Sequence, residues 1–311
     1  MLRSRRTQHR SNHEAPSNDP ARRRAPPFPG LLPLAAAAQE WNSVEGLDAY
    51  FADAREAWNV PGMAVAIVHR GEVIHAKGYG VRHLQEGGAV DEHTLFAIAS
   101  NSKAFTAAAL ATLVDRGDLS WDDRVQEYLP WFQLYDPWVS HEMRIRDLLS
   151  HRSGLGTFSG DLLWYGTGYS AREVVERARY VPQAGPFRAS YGYSNLMFIA
   201  AGEVLREVTG EGWGGYVRNR FLEPLGMSRT VTTTRDLPAM ENVAQPHGDR
   251  GGALRPFEWY NWDAMGAAGG IISSVADMSR WLRLQLAHGT LDGETYFSRA
   301  AAEAMWTPHN T

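Results

Sequence analysis

The 311-residue chain contains no cysteine, only two lysines, and no run of 18 consecutive apolar residues. The first absence excludes disulfides, thiol nucleophiles and thiolate metal sites, and it suits an exported or a cytosolic protein equally. The third means that no membrane-spanning helix is predicted. A Gly-x-Ser-x-Gly elbow is also missing, which argues against an α/β-hydrolase. The eleven histidines are scattered without a His-Glu-x-x-His helix or other ligand spacing, so no zinc site, and no cofactor, is expected. A formal charge of -4, with basic residues beyond the N-terminus interleaved with acids, leaves no footprint for nucleic acid. What remains is a chain 44% hydrophobic and 11% aromatic, long enough to bury a sizeable core.

The scarcity of lysine is informative. Of 31 basic residues two are lysines, Lys77 and Lys103, so the other 29 are arginines. Arginine cannot be deprotonated in a protein, whereas a partly buried lysine can fall from about 10.4 toward 7–8 and serve as a base. Lys103 lies in Phe96-Ala-Ile-Ala-Ser-Asn-Ser-Lys-Ala-Phe-Thr-Ala107, three positions after Ser100 and at the start of a run of helix formers reaching about Gly117. On one helix face, residues i and i+3 bring their Cβ atoms to roughly 5–6 Å. Ser100 is therefore read as a nucleophile and Lys103 as the base that takes its proton. The alternative is a surface lysine beside an N-cap serine.

Met1 to about Pro29 is rich in Arg, Ser, Asn and Pro and reads as a disordered basic tail. Gly30-Leu-Leu-Pro-Leu-Ala-Ala-Ala-Ala38 behind Arg22–Arg24 reads as a secretory signal with a small-residue site near Ala38. Residues 1–39 are thus set apart from a domain over 40–311. Export to the periplasm or exterior is the expectation, with the cytoplasm as the alternative. A helix is predicted over Asn42–Trp58, closed by Pro61-Gly62. Met63–Val68 and Val73–Gly78 around His69-Arg70-Gly71-Glu72 read as a β-hairpin, and Gly80–His93 as loop. From about 118 to 262 strand signals fade into a mainly helical lobe, with helices over Arg144–Ser150, Ser170–Arg179, Asn195–Thr209 and Gly215–Phe221. Helices over Val275–His288 and Ala300–Met305 follow. His151, in Leu148-Leu-Ser-His-Arg-Ser-Gly-Leu-Gly156, reads as capping a tight turn at Gly154, with a catalytic partnership as the alternative.

A second constellation, Tyr191-Gly-Tyr-Ser-Asn195, also precedes an apolar helix. A lysine ammonium within ~4–6 Å of a phenol favours its ionised form, which would let Tyr193 relay protons. Asn195 offers an amide that both donates to and accepts from a substrate amide. The competing reading is an aromatic turn packed on the core.

Together these segments resemble the serine β-lactamase and penicillin-binding protein superfamily, in its class-C-like esterase and D-peptidase branch. The resemblance rests on the hairpin of residues 61–80, the Ser100 segment, Leu148–Leu155, Tyr193-Ser-Asn with Thr209-Gly210, Leu222-Glu-Pro-Leu-Gly-Met227, and Ala268-Gly-Gly-Ile-Ile-Ser-Ser with Asp277. It implies an α+β, β-lactamase/transpeptidase-like fold: an antiparallel sheet flanked by helices, plus a helical lobe. It also implies acyl transfer on an ester, amide or β-lactam carbonyl of a small-molecule or peptide substrate. Ser100 would attack and supply one oxyanion donor from its backbone N–H, Lys103 and Tyr193 would shuttle protons, and Asn195 would hold substrate.

The family's third motif, Lys-Thr-Gly or His-x-Gly on a sheet strand that also gives the second oxyanion donor, has no match, since Pro308-His309-Asn310 lacks the glycine. The chain is therefore expected to be truncated, to lack the C-terminal strands of the sheet, and to leave the hairpin with an open edge. Loss of one oxyanion donor typically costs ~10²–10³ in turnover. The reading from a different class is a non-catalytic binder of penicillin or peptidoglycan peptides, or an inactive fragment.

Overall fold

The computed structural model describes residues 46–309. The basic tail, the signal sequence and the first residues of the predicted N-terminal helix lie outside them. Helix α1 spans Leu47–Ala57 and follows Gly46, whose φ of 85° is left-handed. A right-handed helix cannot continue through that conformation, so the described helix begins at Leu47.

Strands β1 (Gly62–His69) and β2 (Glu72–His83) form the expected antiparallel hairpin. Its turn residues Arg70 and Gly71 both have positive φ, 50° and 84°, the geometry that matches strand twist in a two-residue connection. The pairing steps from Ile67–His75 to Val68–Val73, a bulge that leaves Ile74 unpaired.

The segment Gly80–His93, expected as loop, is corrected by the structure. Strand β2 continues to His83, and β3 (Gly87–Ala89) pairs back on it, giving a sheet in the order β1-β2-β3. The reason lies in two glycines. A Cβ on Gly78 would sit 2.2 Å from the Val90 carbonyl oxygen, and Gly80 has φ 77° with its own Cβ position 2.2 Å from the Pro61 oxygen. Backbones cross here at a spacing only glycine permits, so composition suggests a loop where a strand passes.

Two helices make the centre. Helix α2 (Ser102–Arg116) buries Phe105, Leu110 and Leu113 completely and ends at Gly117, φ 76°. The Asn195–Thr209 helix is capped by Ser194 Oγ, which accepts the Met197 N–H at 3.3 Å, and ends at Gly210, φ 70°. Both end where predicted because a glycine in the left-handed conformation follows each apolar run, and the second also has its N-cap hydroxyl in sequence order. The Val275–Leu286 helix packs between β1 and this core. Its Trp281 ring stacks on Phe105 with centroids 3.8 Å apart.

The lobe is helical as expected, in short pieces such as Ile145–Leu149 and Ala171–Glu176. Two details differ from expectation. The predicted Gly215–Phe221 helix is an α-turn over Trp213–Val217 that widens into a π-turn over Arg218–Leu222. Within the lobe, His247–Asp249 and Leu254–Pro256 pair as a small hairpin. Three-residue strands built from His, Gly, Asp, Arg and Pro carry no β signal, so only the pairing reveals them.

Candidate active site

The segment that carries Ser100 is fixed before the helix begins. Phe96–Ala97 pairs with Ile272–Ser273, Ile98 donates its N–H to the Ile271 carbonyl at 3.0 Å, and Ile271 donates its own to Ser102 Oγ at 3.0 Å. Ala99 then takes φ 47°, a left-handed value for a residue with a Cβ, at the head of a 3-10 turn over Ala99–Asn101. Ser100 therefore sits in that turn rather than in α2, whose first residue is Ser102. The sharp corner leaves Ser100 exposed while Lys103 is only 8% exposed.

Lys103 Nζ meets three oxygens: Ser100 Oγ at 3.1 Å, Asn195 Oδ1 at 2.8 Å and the Ala268 carbonyl at 2.6 Å. An ammonium has three donors, and all three are used. The arrangement constrains the neutral amine more tightly. A carbonyl and an amide oxygen can only accept, so the two remaining N–H bonds must point at Ala268 and Asn195, and the lone pair is left facing Ser100. Burial pushes the Lys103 pKa below its ordinary value, against the opposing pull of the Tyr193 phenol and the Asp161 charge.

The other two predicted residues arrive from the turn before the Asn195–Thr209 helix. Tyr193 OH lies 2.6 Å from Ser100 Oγ. Its ring also lies beneath Lys103 Nζ, 4.9 Å from nitrogen to centroid. Asn195, 8% exposed, accepts from Lys103 and donates from Nδ2 to Asp161 Oδ2 at 2.8 Å. One amide N–H of Asn195 remains beyond these two contacts.

Four features of the site were not read from the sequence. The Ala268 carbonyl is a backbone group carried by Gly266–Gly270, a segment pinned to α2 by Thr106 Oγ1 donating to Ala267 O at 2.7 Å. Asp161, from a turn with no motif of its own, orients Asn195 and also accepts from Trp164 Nε1 at 3.2 Å. His151 does sit in a tight turn, with φ 54° and its carbonyl accepting the Gly192 N–H at 2.8 Å, and it has a second contact besides. Its Nδ1 accepts the Ser194 N–H at 3.1 Å and its ring stacks on Tyr193, so it touches the backbone and the ring on either side of that residue's peptide. Burial, and then the Lys103 charge, lower its pKa to about 4, so the imidazole is neutral at pH 7 with its proton on Nε2. Asp147, fully buried, holds this loop by accepting from Arg152 at 3.0 Å and Arg188 at 2.6 Å.

Among the described residues, no three His, Asp or Glu side chains converge as a metal site, and no helix is long and apolar enough to cross a membrane.

The chain is 32% identical over 243 residues to Unguisins hydrolase ungD of Aspergillus violaceofuscus, covering 74% of this chain and 43% of that protein. It is 32% identical over 258 residues to Penicillin-binding protein 4 of Amycolatopsis lactamdurans, covering 81% and 66%. Among solved structures, the octameric penicillin-binding protein homologue from Pyrococcus abyssi superposes with a TM-score of 0.73 at 26% identity, covering 85% of this chain and 60% of that one. The D-amino acid amidase from Ochrobactrum anthropi SV3 superposes with a TM-score of 0.68 at 25% identity, covering 81% and 71%. The beta-lactamase family model matches residues 47–311, including the Ser100, Tyr193 and Ala268 segments, and the chain belongs to that family.

Proposed function

We propose that this chain carries the reaction centre of a serine acyl hydrolase acting through an acyl-enzyme on an ester or amide carbonyl, β-lactams included. The observation that carries the reading is the Lys103 amine, whose two acceptor-only neighbours leave its lone pair one direction, toward Ser100 Oγ.

In the first step, neutral Lys103 takes the Ser100 hydroxyl proton as Oγ attacks the carbonyl carbon. The Ser100 backbone N–H is one donor to the oxyanion. The tetrahedral adduct collapses by breaking the bond to the leaving nitrogen or oxygen. Tyr193, within reach of Oγ, hands that atom its proton and is reprotonated by the Lys103 ammonium. In the second step, a water gives its proton to the same pair and attacks the acyl carbon, and Ser100 Oγ leaves with a proton returned through Lys103. A positioned base of this kind contributes typically ~10²–10⁴ in rate. Asn195 holds Lys103 and keeps one N–H for a substrate carbonyl.

The name of one similar protein, a D-amino acid amidase, favours an amide-type carbonyl. The test is labelling with a fluorophosphonate and with a fluorescent penicillin. The proposal expects a label on Ser100 that disappears in Ser100→Ala, with release of the penicilloyl group over time. A label that persists in Ser100→Ala would refute the assignment, and stable labelling without release would turn the protein into an acyl receptor.

A further inference from the structure

A cavity of about 610 Å³ lies apart from Ser100, between the Asn195–Thr209 helix, the turn at Gly212–Gly215, Thr232–Asp236 and Asp263–Ala267. None of Ser100, Lys103, Tyr193 or Asn195 lines it.

Its wall contains an acid out of place. Glu203 lies in the Asn195–Thr209 helix, lines the cavity and is 8% exposed. Among the described residues no hydrogen bond or ion pair reaches its carboxyl. Buried carboxyl groups are nearly always partnered, so one without a donor that faces an open volume points to a missing ligand. Burial raises the Glu203 pKa, against the weaker pull of the Arg206 and Arg172 charges.

A second carboxyl, Asp263, belongs to the same lining. Asp263 Oδ2 takes the Thr233 hydroxyl at 2.9 Å and Arg235 Nε at 2.7 Å, while its Oδ1 is buried without a donor. The Trp213 indole is held in the wall by its Nε1, which donates to Thr106 Oγ1 at 2.8 Å. Its ring contributes an apolar surface to the same lining. Two arginines also line the cavity; Arg235 is already paired with Asp263, and Arg206 lies one turn from Glu203 on the same helix, so an anionic ligand would have to approach the unpaired Glu203 carboxyl. A metal ion would need more ligands than the described residues bring together. A cationic donor on an apolar body satisfies both walls.

We propose that this cavity is a second ligand site, which takes a small primary amine with its ammonium on the Glu203 carboxylate and its apolar body along Trp213. The inference is independent of the reaction assigned to Ser100, because it needs only the cavity and its unpaired Glu203 carboxyl.

The experiment is a titration of the whole chain with benzylamine, followed by calorimetry and by tryptophan fluorescence, with benzyl alcohol as the uncharged control. Saturable benzylamine binding is expected, about tenfold tighter than the alcohol, as one charge-assisted hydrogen bond would give. Glu203→Gln should erase that preference. Gly212→Phe should block the cavity, because a Cβ at Gly212 meets no atom within 4 Å and the larger ring has open volume to enter. Cooperative thermal unfolding of each variant checks its fold, and either variant suffices if the other fails. Absence of saturable binding, or binding that survives unchanged in the folded variants, overturns the site.

Discussion

The His151 imidazole lies against the Tyr193 phenol ring with centroids 4.3 Å apart and planes 27° from parallel. The same imidazole accepts the N–H of the next residue, Ser194, so it sets both the position of the ring and the path of the chain that carries it. Removing it should disturb Tyr193 more than it disturbs the fold. His151→Ala leaves the fully buried Ser194 without an acceptor for its N–H, a loss of about 1–3 kcal/mol. His151→Asn tolerates the left-handed backbone and can restore an acceptor but not the stack. Both variants are expected to label at Ser100 on the order of tenfold more slowly, since relay geometry is sensitive to small displacements. Only the Asn variant should recover melting temperature. Equal labelling rates in all three proteins would remove His151 from the site.

The same residue gives a pH dependence of stability. The folded pKa is about 4, against 6.5 for the free side chain. Above 6.5 both folded and unfolded forms are neutral and nothing changes. Between 6.5 and 4 the unfolded chain binds a proton that the folded chain does not, so stability falls as pH falls through this window. The slope is at most about 1.4 kcal/mol per pH unit, less as far as water reaches the ring. Urea midpoints measured from pH 7 to pH 4.5 should drop more steeply for the parent than for His151→Asn; parallel curves would count against it.

Lys103→Arg tests the proposed base directly. Arginine keeps the charge and cannot lose its proton, so labelling of Ser100 should fall by about 10²–10⁴. A variant that reacts as fast as the parent would show that Ser100 is activated by some other group.

Asp161 acts on the same lysine from a distance. Its negative charge favours the ammonium and so raises the Lys103 pKa. Asp161→Asn removes the charge and preserves an oxygen for Asn195 Nδ2. Lys103 then becomes neutral at lower pH, and the acid limb of the labelling-rate profile should move to lower pH. Movement in the opposite direction would contradict the electrostatic assignment.

Ala99 offers a test of backbone strain. In an ordinary helix an alanine-to-glycine change costs about 1 kcal/mol. At φ 47° the alanine carries a left-handed penalty of about 1–2 kcal/mol that glycine avoids. Ala99→Gly is therefore expected to be close to neutral by denaturant titration, and Ala99→Val clearly destabilising. A full helical penalty for the glycine variant would mean that the corner is unstrained.

Much of this protein could be read along the chain. Ser100 and Lys103 were paired by local spacing alone, and a residue three positions on does bring its amine to 3.1 Å of the hydroxyl. The hairpin, the Asn195–Thr209 helix and the Val275 helix announced themselves through caps, alternation and glycine stops. Gly78 and Gly80 misled for a physical reason: glycine marks both flexible loops and close backbone crossings, and only the neighbouring chain distinguishes them.

The sequence by itself determined which chemical groups were available: one lysine near one serine, a tyrosine and an amide before a second helix, and no thiol. Tertiary structure decided how those groups are wired. The Ala268 carbonyl meets Lys103 across 165 positions, and Asn195 meets it across 92. Asp161 and His151 enter only because their loops fold beneath Asn195 and Tyr193. Hydrogen-bond direction and the burial that lowers a pKa depend on atoms brought together from distant segments, and no local pattern of side chains encodes them.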